Sequence, residues 1–288
     1  MISIYVDYLK NSNIENYHCD GFIIHSSEFS CYNGDTFKID ELKPNLELIQ
    51  KNGKKAILNI DRIIMEEDLD DLVKYLNQVK YMFDLYLYSD MAIYGYFNNL
   101  GMKEKLVYMP KTLVASKYEL SRYYELGVNV ILANELSFDE IKDISDSYNI
   151  SLEVFGYHQM FYSKRNLISL YKEYFNIDEE LKNKKLTLKE EIRDEFYPIY
   201  ESKNGTFIYT DYLYCFFKEL VDIKDKLNII KINGIFLDDE KYQKVVNIYS
   251  SLLKDDGDIE SLYQKLENVC PNISKGFLLN KSVLLKKD

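Results

Sequence analysis

Cysteine is scarce in this sequence, and its spacing excludes several kinds of site. Cys19, Cys31, Cys215 and Cys270 stand far apart, with no CxxC pair and no histidine at zinc-ligand spacing. Such usage is typical of a chain whose thiols stay reduced. We therefore expect a cytoplasmic protein with no metal site of its own.

Long hydrophobic runs are also missing. No apolar stretch approaches the roughly 20 residues that cross a bilayer, and Met1–Tyr8 has no basic leader ahead of an apolar core. We expect neither a signal peptide nor a membrane partner. The net charge of −11 disfavours broad, non-specific binding to nucleic acid or anionic membrane, and it leaves room for a local basic pocket.

Several catalytic signatures are absent as well. The sequence contains no HExxH motif, no serine in a GxSxG turn and no glycine-rich phosphate loop after a strand. Cys215 lies in the apolar segment YLYCFF, which we interpret as a helix, and an apolar setting makes a thiol inert. The residues alone therefore give no support to nucleotide binding or to a hydrolase with an activated nucleophile.

Arginine is rare, with four copies against thirty-two lysines. Arg165 follows Lys164 in the stretch Leu152–Tyr171, where a strand-like run ends at Gly156 and polar side chains follow. This is how α/β proteins present a site at the carboxyl edge of a sheet. Arg165 thus indicates bidentate recognition of an anion. The alternative is a solvated basic turn that caps the next helix.

Short apolar runs are numerous in the sequence, and most of them are followed by an amphipathic helix. Eight of these are predicted strands: Ile2–Val6, Phe22–His25, Ala56–Ile60, Leu85–Tyr88, Leu106–Met109, Val128–Leu132, Leu152–Phe155 and Ile229–Ile232. The alternation predicts an α/β fold, a TIM-like (β/α)₈ barrel, in which the eighth strand pairs with the first. An open doubly wound sheet is the alternative.

The regular pattern loosens after the seventh strand. Asn176–Asp194 is charged and helix-prone, and predicts a helical insertion outside the core. Phe196–Glu201 and Thr206–Thr210 predict a hairpin with an Asn-Gly turn, and Tyr212–Leu227 predicts a helix. We expect a barrel domain over residues 1–253, with a C-terminal helix and tail (254–288) packed on it.

In a barrel, the site lies where the carboxyl ends of the strands meet. Of the polar residues at these ends, three are candidates for catalysis: Glu135, His158 and Arg165. Seven are candidates for substrate binding: Asn59, Asp90, Asn134, Gln159, Lys164, Lys231 and Asn233. Asp61, Lys111 and Glu201 also lie at these ends. We expect Glu135 to be partly desolvated and near Arg165 or Lys231. The structural alternatives are a helix N-terminal carboxylate for Glu135 and a hydrogen-bonded structural histidine for His158. We interpret His25, in the turn after the second strand, as ordinary loop packing.

Several segments, taken in order, resemble the collagenase-like peptidase family, U32. They are CDGFIIHSSEFS, AILNI with MEEDLDDLVKYL, GVNVILANELSFDEIKDI, EVFGYHQMFYSKRNLISLY, YPIYESKNGTFIYTDYLYC and IIKINGIFLDDEKYQKVVNIY. Together they cover most of Cys19–Tyr249. The resemblance implies a barrel-like catalytic domain.

The departures from the family pattern concern cysteine. The resemblance implies that fuller members hold an iron–sulfur cluster with four cysteines, of which only Cys215 has a counterpart here, and one thiolate cannot hold such a cluster. The chain therefore resembles a cysteine-poor branch without a cofactor. Such members are associated with cysteine-bearing paralogues in hydroxylating the tRNA wobble uridine or quinone precursors. We expect a cluster-less auxiliary subunit with that paralogue and tRNA, or a small anionic substrate, as partners. A peptidase and a non-catalytic ligand- or partner-binding barrel are the alternatives.

Overall fold

The fold is an α/β arrangement of one large, mostly parallel sheet and one small antiparallel sheet. The structure, a computed structural model, describes residues 2–192 and 194–280. The strands are β1 (Ser3–Asp7), β2 (Gly21–His25), β3 (Lys55–Ile60), β4 (Leu85–Tyr88), β5 (Leu106–Tyr108), β6 (Asn129–Val130), β7 (Ile150–Gly156), β8 (Gln159–Ser163), β9 (Leu186–Lys189), β10 (Phe196–Ser202), β11 (Gly205–Tyr209), β12 (Leu213–Cys215), β13 (Leu227–Ile232) and β14 (Ile273–Ser274). The helices are α1 (Ile39–Lys51), α2 (Leu69–Val79), α3 (Met91–Asn99), α4 (Lys117–Leu126), α5 (Phe138–Ser147), α6 (Leu167–Tyr174), α7 (Asp239–Leu253) and α8 (Ile259–Val269).

The large sheet has the order β14-β12-β7-β13-β1-β2-β3-β4-β5-β6. Its neighbours from β7 to β6 in that order are parallel, whereas β12 runs antiparallel to β7. The predicted pairing of the last strand of the series with the first is confirmed, since β13 lies beside β1 with Ser3 opposite Ile229. Just after β6, Ile131 forms a parallel bridge with Ser151 of β7.

Both faces of this sheet are covered, which explains why its strands are near-continuous apolar runs. Helices pack on one face. On α2, for example, Leu72, Tyr75, Leu76 and Val79 recur at helical spacing and are buried. A separate apolar cluster fills the other face and takes side chains from successive strands: Tyr5, Ile23, Ile57, Leu87, Val107, Met109, Ile131 and Ile229.

The small sheet corrects the predicted helical insertion. Its order is β8-β11-β10-β9, all antiparallel. The hairpin is confirmed, with Lys203 and Asn204 in the turn, but the segment 176–194 contributes β9 instead of a long helix. Its lysine, glutamate and leucine content favours a helix by propensity alone, whereas the open edge of β10 supplies a row of backbone hydrogen bonds.

The predicted helix 212–227 is also wrong. The segment contains strand β12 and then a 3₁₀ helix, Lys218–Lys226. Its first residues pair on both sides, with β7 and with β14, and Phe216 and Phe217 are buried in the core. A short apolar run of aromatic residues fits a buried strand as well as a buried helix, and here long-range pairing decides.

The C-terminal region packs on the rest of the chain through α8, where Leu262 and Leu266 are buried. Strand β14 joins the large sheet beside β12. The division at residue 253 stays a prediction, and residues 281–288 of the predicted tail lie outside the described residues. Over 2–192 and 194–280, every helix is too short or too polar to cross a bilayer.

Candidate substrate cleft

A polar cleft lies at the carboxyl ends of the parallel strands. Ionisable and amide side chains line it, among them His25, Asn59, Asp61, Lys111, Glu153 and Lys231. Parallel strands end together at one edge of a sheet, so residues distant in sequence meet there.

Strand register places these side chains next to one another. Lys231 on β13 is the direct neighbour of Glu153 on β7, and His25 at the end of β2 is the neighbour of Asn59 on β3. Asp7 is the last residue of β1, the strand between β13 and β2. The charged residues therefore occupy inward positions of strands that are otherwise apolar.

A buried ion network joins three of these residues. The Lys231 Nζ donates to Glu153 Oε2 at 2.6 Å and lies 3.8 Å from Asp7 Oδ1. Burial alone would raise the pKa of Asp7, but Lys231 and His25 outweigh it and lower that pKa to about 2. The pKa of Glu153 is likewise lowered, because Lys231 and His158 outweigh its burial. All three members are therefore charged at neutral pH.

A chain of hydrogen bonds links Asp61 to Asp7 through Ser30, Asn59 and His25. The Ser30 hydroxyl donates to Asp61 Oδ1 at 2.9 Å, and the Asn59 amide donates to Ser30 Oγ at 3.1 Å. Asn59 Nδ2 also lies 2.9 Å from His25 Nδ1, and His25 Nε2 lies 2.9 Å from Asp7 Oδ1. Both ring nitrogens of His25 are thus engaged.

Lys111 also lines the cleft. Its Nζ lies 3.4 Å from Asp61 Oδ2 and 3.3 Å from Gln159 Oε1, to which it donates. Burial would lower the pKa of Lys111, but Asp61 outweighs it and raises that pKa. Each lysine of the cleft is therefore charged and is already neutralised by a carboxylate.

His158 is buried behind Glu153 and does not line the cleft. Its Nε2 lies 3.5 Å from Glu153 Oε1, and its ring lies 4.3 Å from that of Tyr214. Burial lowers the pKa of His158 to about 4, more than Glu153 raises it. The imidazole is thus neutral at neutral pH and poorly suited to donate a proton there.

His158 should make the protein sensitive to mild acid. Its ordinary pKa is 6.5, so between pH 6.5 and about 4 the unfolded chain takes up the proton first. The stability that depends on a neutral His158 is therefore intact above pH 6.5 and is lost as the pH falls towards 4. The loss lowers the free energy of unfolding by about 3 kcal/mol. Urea unfolding of wild type and His158→Gln across this range measures the effect. The free energy of unfolding should fall more steeply with falling pH in wild type than in His158→Gln.

The exposed His18 supplies the matched control. His18→Gln should follow the wild-type profile. Identical profiles for wild type and His158→Gln would show that the His158 imidazole is not held neutral by burial.

The structure brings together five of the ten residues predicted for the site. Asn59, Asn134, Gln159, Lys231 and Asn233 all line the cleft. Asn233 donates to Glu153 Oε1 and to the Tyr157 carbonyl, both at 3.4 Å. These five were predicted to bind substrate, and that role remains a prediction.

The other predicted residues lie elsewhere, apart from His158 behind Glu153. Lys164 and Arg165 are exposed after β8, and neither lines the cleft. Glu135, expected to be partly desolvated, is exposed in the turn before α5. Asp90 caps α3 by accepting from Ala92 N at 2.9 Å. The basic turn lies apart because the chain after Gly156 enters the small sheet and leaves the edge of the large one.

Sequence reasoning missed Asp7, His25 and Glu153. Asp7 follows the apolar run of β1 directly, which is the same signal that identified Asn233. Glu153 interrupts the apolar run LEVF as Lys231 interrupts IIKI, and a charge inside a buried strand calls for a partner. Pairing the two required the register of β7 with β13.

The cysteines do not fit the cluster that the family resemblance implies. Cys31 lines the cleft, whereas Cys215 is buried on β12 with its Sγ 3.7 Å from the Tyr249 hydroxyl. Burial raises the pKa of Cys215 to about 12, so the thiol is inert on a strand as it was expected to be on a helix. Among the described residues, no three or more His, Cys, Asp or Glu side chains are arranged to hold a metal ion.

Comparison with known proteins shows the family to which the chain belongs. The model of peptidase family U32 matches residues 17–285, and the chain therefore belongs to that family. It is 24% identical over 282 residues to tRNA hydroxylation protein P2 of Bacillus subtilis (strain 168), in a match that covers 91% of each chain. The solved structure of the U32 peptidase Mk0906 aligns with 81% of this chain and 92% of its own, with a TM-score of 0.44 and 12% identity.

Proposed function

We propose that this chain is a cluster-less auxiliary subunit for hydroxylation of the tRNA wobble uridine. It acts beside a cysteine-bearing paralogue that carries the iron–sulfur cluster. The observation that carries the proposal is the similarity to tRNA hydroxylation protein P2 along 91% of both chains. Similarity over nine-tenths of both chains favours the same kind of role more than a shared fold alone would.

The chemistry of the cleft supports this role over proteolysis. Burial and the neighbouring Asp61 raise the pKa of the Cys31 thiol to about 12, so it is not a ready nucleophile. The Ser30 hydroxyl donates to Asp61, and both nitrogens of His25 are engaged. The described cleft residues therefore position groups and bind polar ones, without the activated nucleophile that peptide cleavage requires.

Charge supports the need for a partner. The chain carries a net charge of −11, and both lysines of the cleft are neutralised by carboxylates. Binding to the phosphate backbone of RNA depends on free lysine and arginine. A second subunit that supplies most phosphate contacts would resolve this conflict. The same role would place the protein in the cytoplasm.

We also infer that the parallel strands close into the predicted (β/α)₈ barrel. The bridge between Ile131 and Ser151, with Leu132 N donating to Ser151 O at 2.9 Å, supports closure because it links the two ends of the parallel series. The apolar cluster around Tyr5 and Ile229 supports it too, since small barrels are filled by inward side chains from each strand.

Anaerobic affinity purification of the tagged full chain from its native cell tests the proposed function. We expect a cysteine-bearing paralogue in comparable amount, with tRNA and iron in the complex. The same chain produced alone should contain no stoichiometric iron or acid-labile sulfide. About four irons per isolated chain would contradict the proposal. So would peptide cleavage by the purified chain in the absence of any partner.

A further inference from the structure

We propose that the cleft of this chain binds a uracil base, whose imide N–H donates to Asn59 Oδ1. The inference rests on the proposed function and goes beyond it, because it assigns base recognition to the cluster-less chain instead of to its paralogue. Three observations carry it: an acceptor without a partner, cations that are already neutralised, and amide donors beside them.

The orientation of the Asn59 amide follows from its neighbours. The Ser30 proton is committed to Asp61, so Ser30 Oγ acts as an acceptor towards Asn59. The atom of Asn59 that faces Ser30 is therefore the amide nitrogen. The same nitrogen donates to His25 Nδ1, which leaves the proton of the ring on Nε2, where Asp7 accepts it.

Asn59 Oδ1 is consequently left without a hydrogen-bond donor. Asn59 is 1% exposed and lines the cleft, and its Oδ1 is buried without a hydrogen-bond partner. A buried acceptor without a donor is costly, and a site that keeps one is suited to a ligand that supplies the donor. The ligand therefore presents an N–H or O–H at this point.

The charges of the cleft favour a neutral ligand over a phosphate. Lys231 lies beside the carboxylates of Glu153 and Asp7. Lys111 lies beside the Asp61 carboxylate and the side-chain oxygen of Gln159, Oε1. A phosphate would have to displace a buried carboxylate from one of these lysines. A neutral heterocycle leaves all these ion pairs in place.

Two further amide side chains, those of Gln159 and Asn134, line the same cleft. Gln159 Oε1 accepts from Lys111, which leaves its Nε2 to donate, and the Asn134 side chain has no hydrogen bond within the described part of the chain. Uracil presents acceptor, donor and acceptor along its imide edge. Cytosine places the N3 acceptor where uracil has its N–H, and would face Asn59 Oδ1 with a second acceptor.

Ligand-observed NMR on the full-length chain tests the assignment with uridine, 3-methyluridine and cytidine. The methyl group of 3-methyluridine removes only the imide donor. We expect uridine to bind, and the other two nucleosides to bind at least about tenfold more weakly, because each leaves Asn59 Oδ1 unpaired. Asn59→Ala should weaken uridine binding and abolish the preference for uridine over 3-methyluridine. The exposed Asn99→Ala on α3 is the matched control and should change neither.

Equal binding of the three nucleosides, or no binding of uridine by a folded chain, would overturn the assignment. Displacement of uridine by millimolar inorganic phosphate would overturn it as well, because it would indicate an anion site. None of these results depends on hydroxylation in the cell. A chain that fails to bind uridine, but whose removal still abolishes tRNA hydroxylation, would refute the inference and leave the proposed function standing.

Discussion

Replacing Lys231 with methionine should lower the free energy of unfolding by about 3–5 kcal/mol. The Nζ of Lys231 lies 2.6 Å from Glu153 Oε2, and both side chains are less than a tenth exposed. Methionine fills the space but leaves Glu153 and Asp7 buried without their shared cation. Desolvated carboxylates without a counter-charge are costly, so either a proton is taken up or the cleft opens. Urea or thermal unfolding measures the loss.

Lys244→Met supplies a matched control for this prediction. Lys244 also lies 2.6 Å from a carboxylate, that of Glu240, but both side chains are more than half exposed on α7. An exposed pair of this kind contributes about 0–0.5 kcal/mol. The double variant Lys231→Met/Glu153→Met should recover part of the loss, because it removes one of the two unpaired carboxylates. A Lys231→Met protein as stable as Lys244→Met would show that the cluster does not hold the strands together.

The parallel sheet could be predicted from sequence because its strands are buried on both faces and carry a local signal. Runs such as Phe22–His25 and Ala56–Ile60 need no distant partner to be recognised. Polar residues at the carboxyl ends of such runs fall at one edge in any parallel arrangement, which is why Asn59 and Asn233 were found. The pairing of β13 with β1 was predicted from the closure expected of eight such strands.

The parts that were predicted wrongly depend on long-range pairing. The segment around Cys215 forms β12 because β7 and β14 lie on either side of it, and no local pattern states this. Lys164 and Arg165 follow a strand whose partner, β11, lies about forty residues further along, so the chain leads them away from the cleft. The Glu153–Lys231 pair likewise required the register between two strands.

The amount of hydroxylated wobble uridine in cellular tRNA is the most direct measure of the proposed function. Nucleosides from tRNA of cells with and without the gene are compared by mass spectrometry. Removal of the gene should reduce the hydroxylated nucleoside to background, because the paralogue then lacks its subunit. Both the wild-type gene and a Cys215→Ala gene should restore it, since this thiol holds no cluster. Unchanged hydroxylation after removal of the gene, in cells that normally make the modification, would contradict the account.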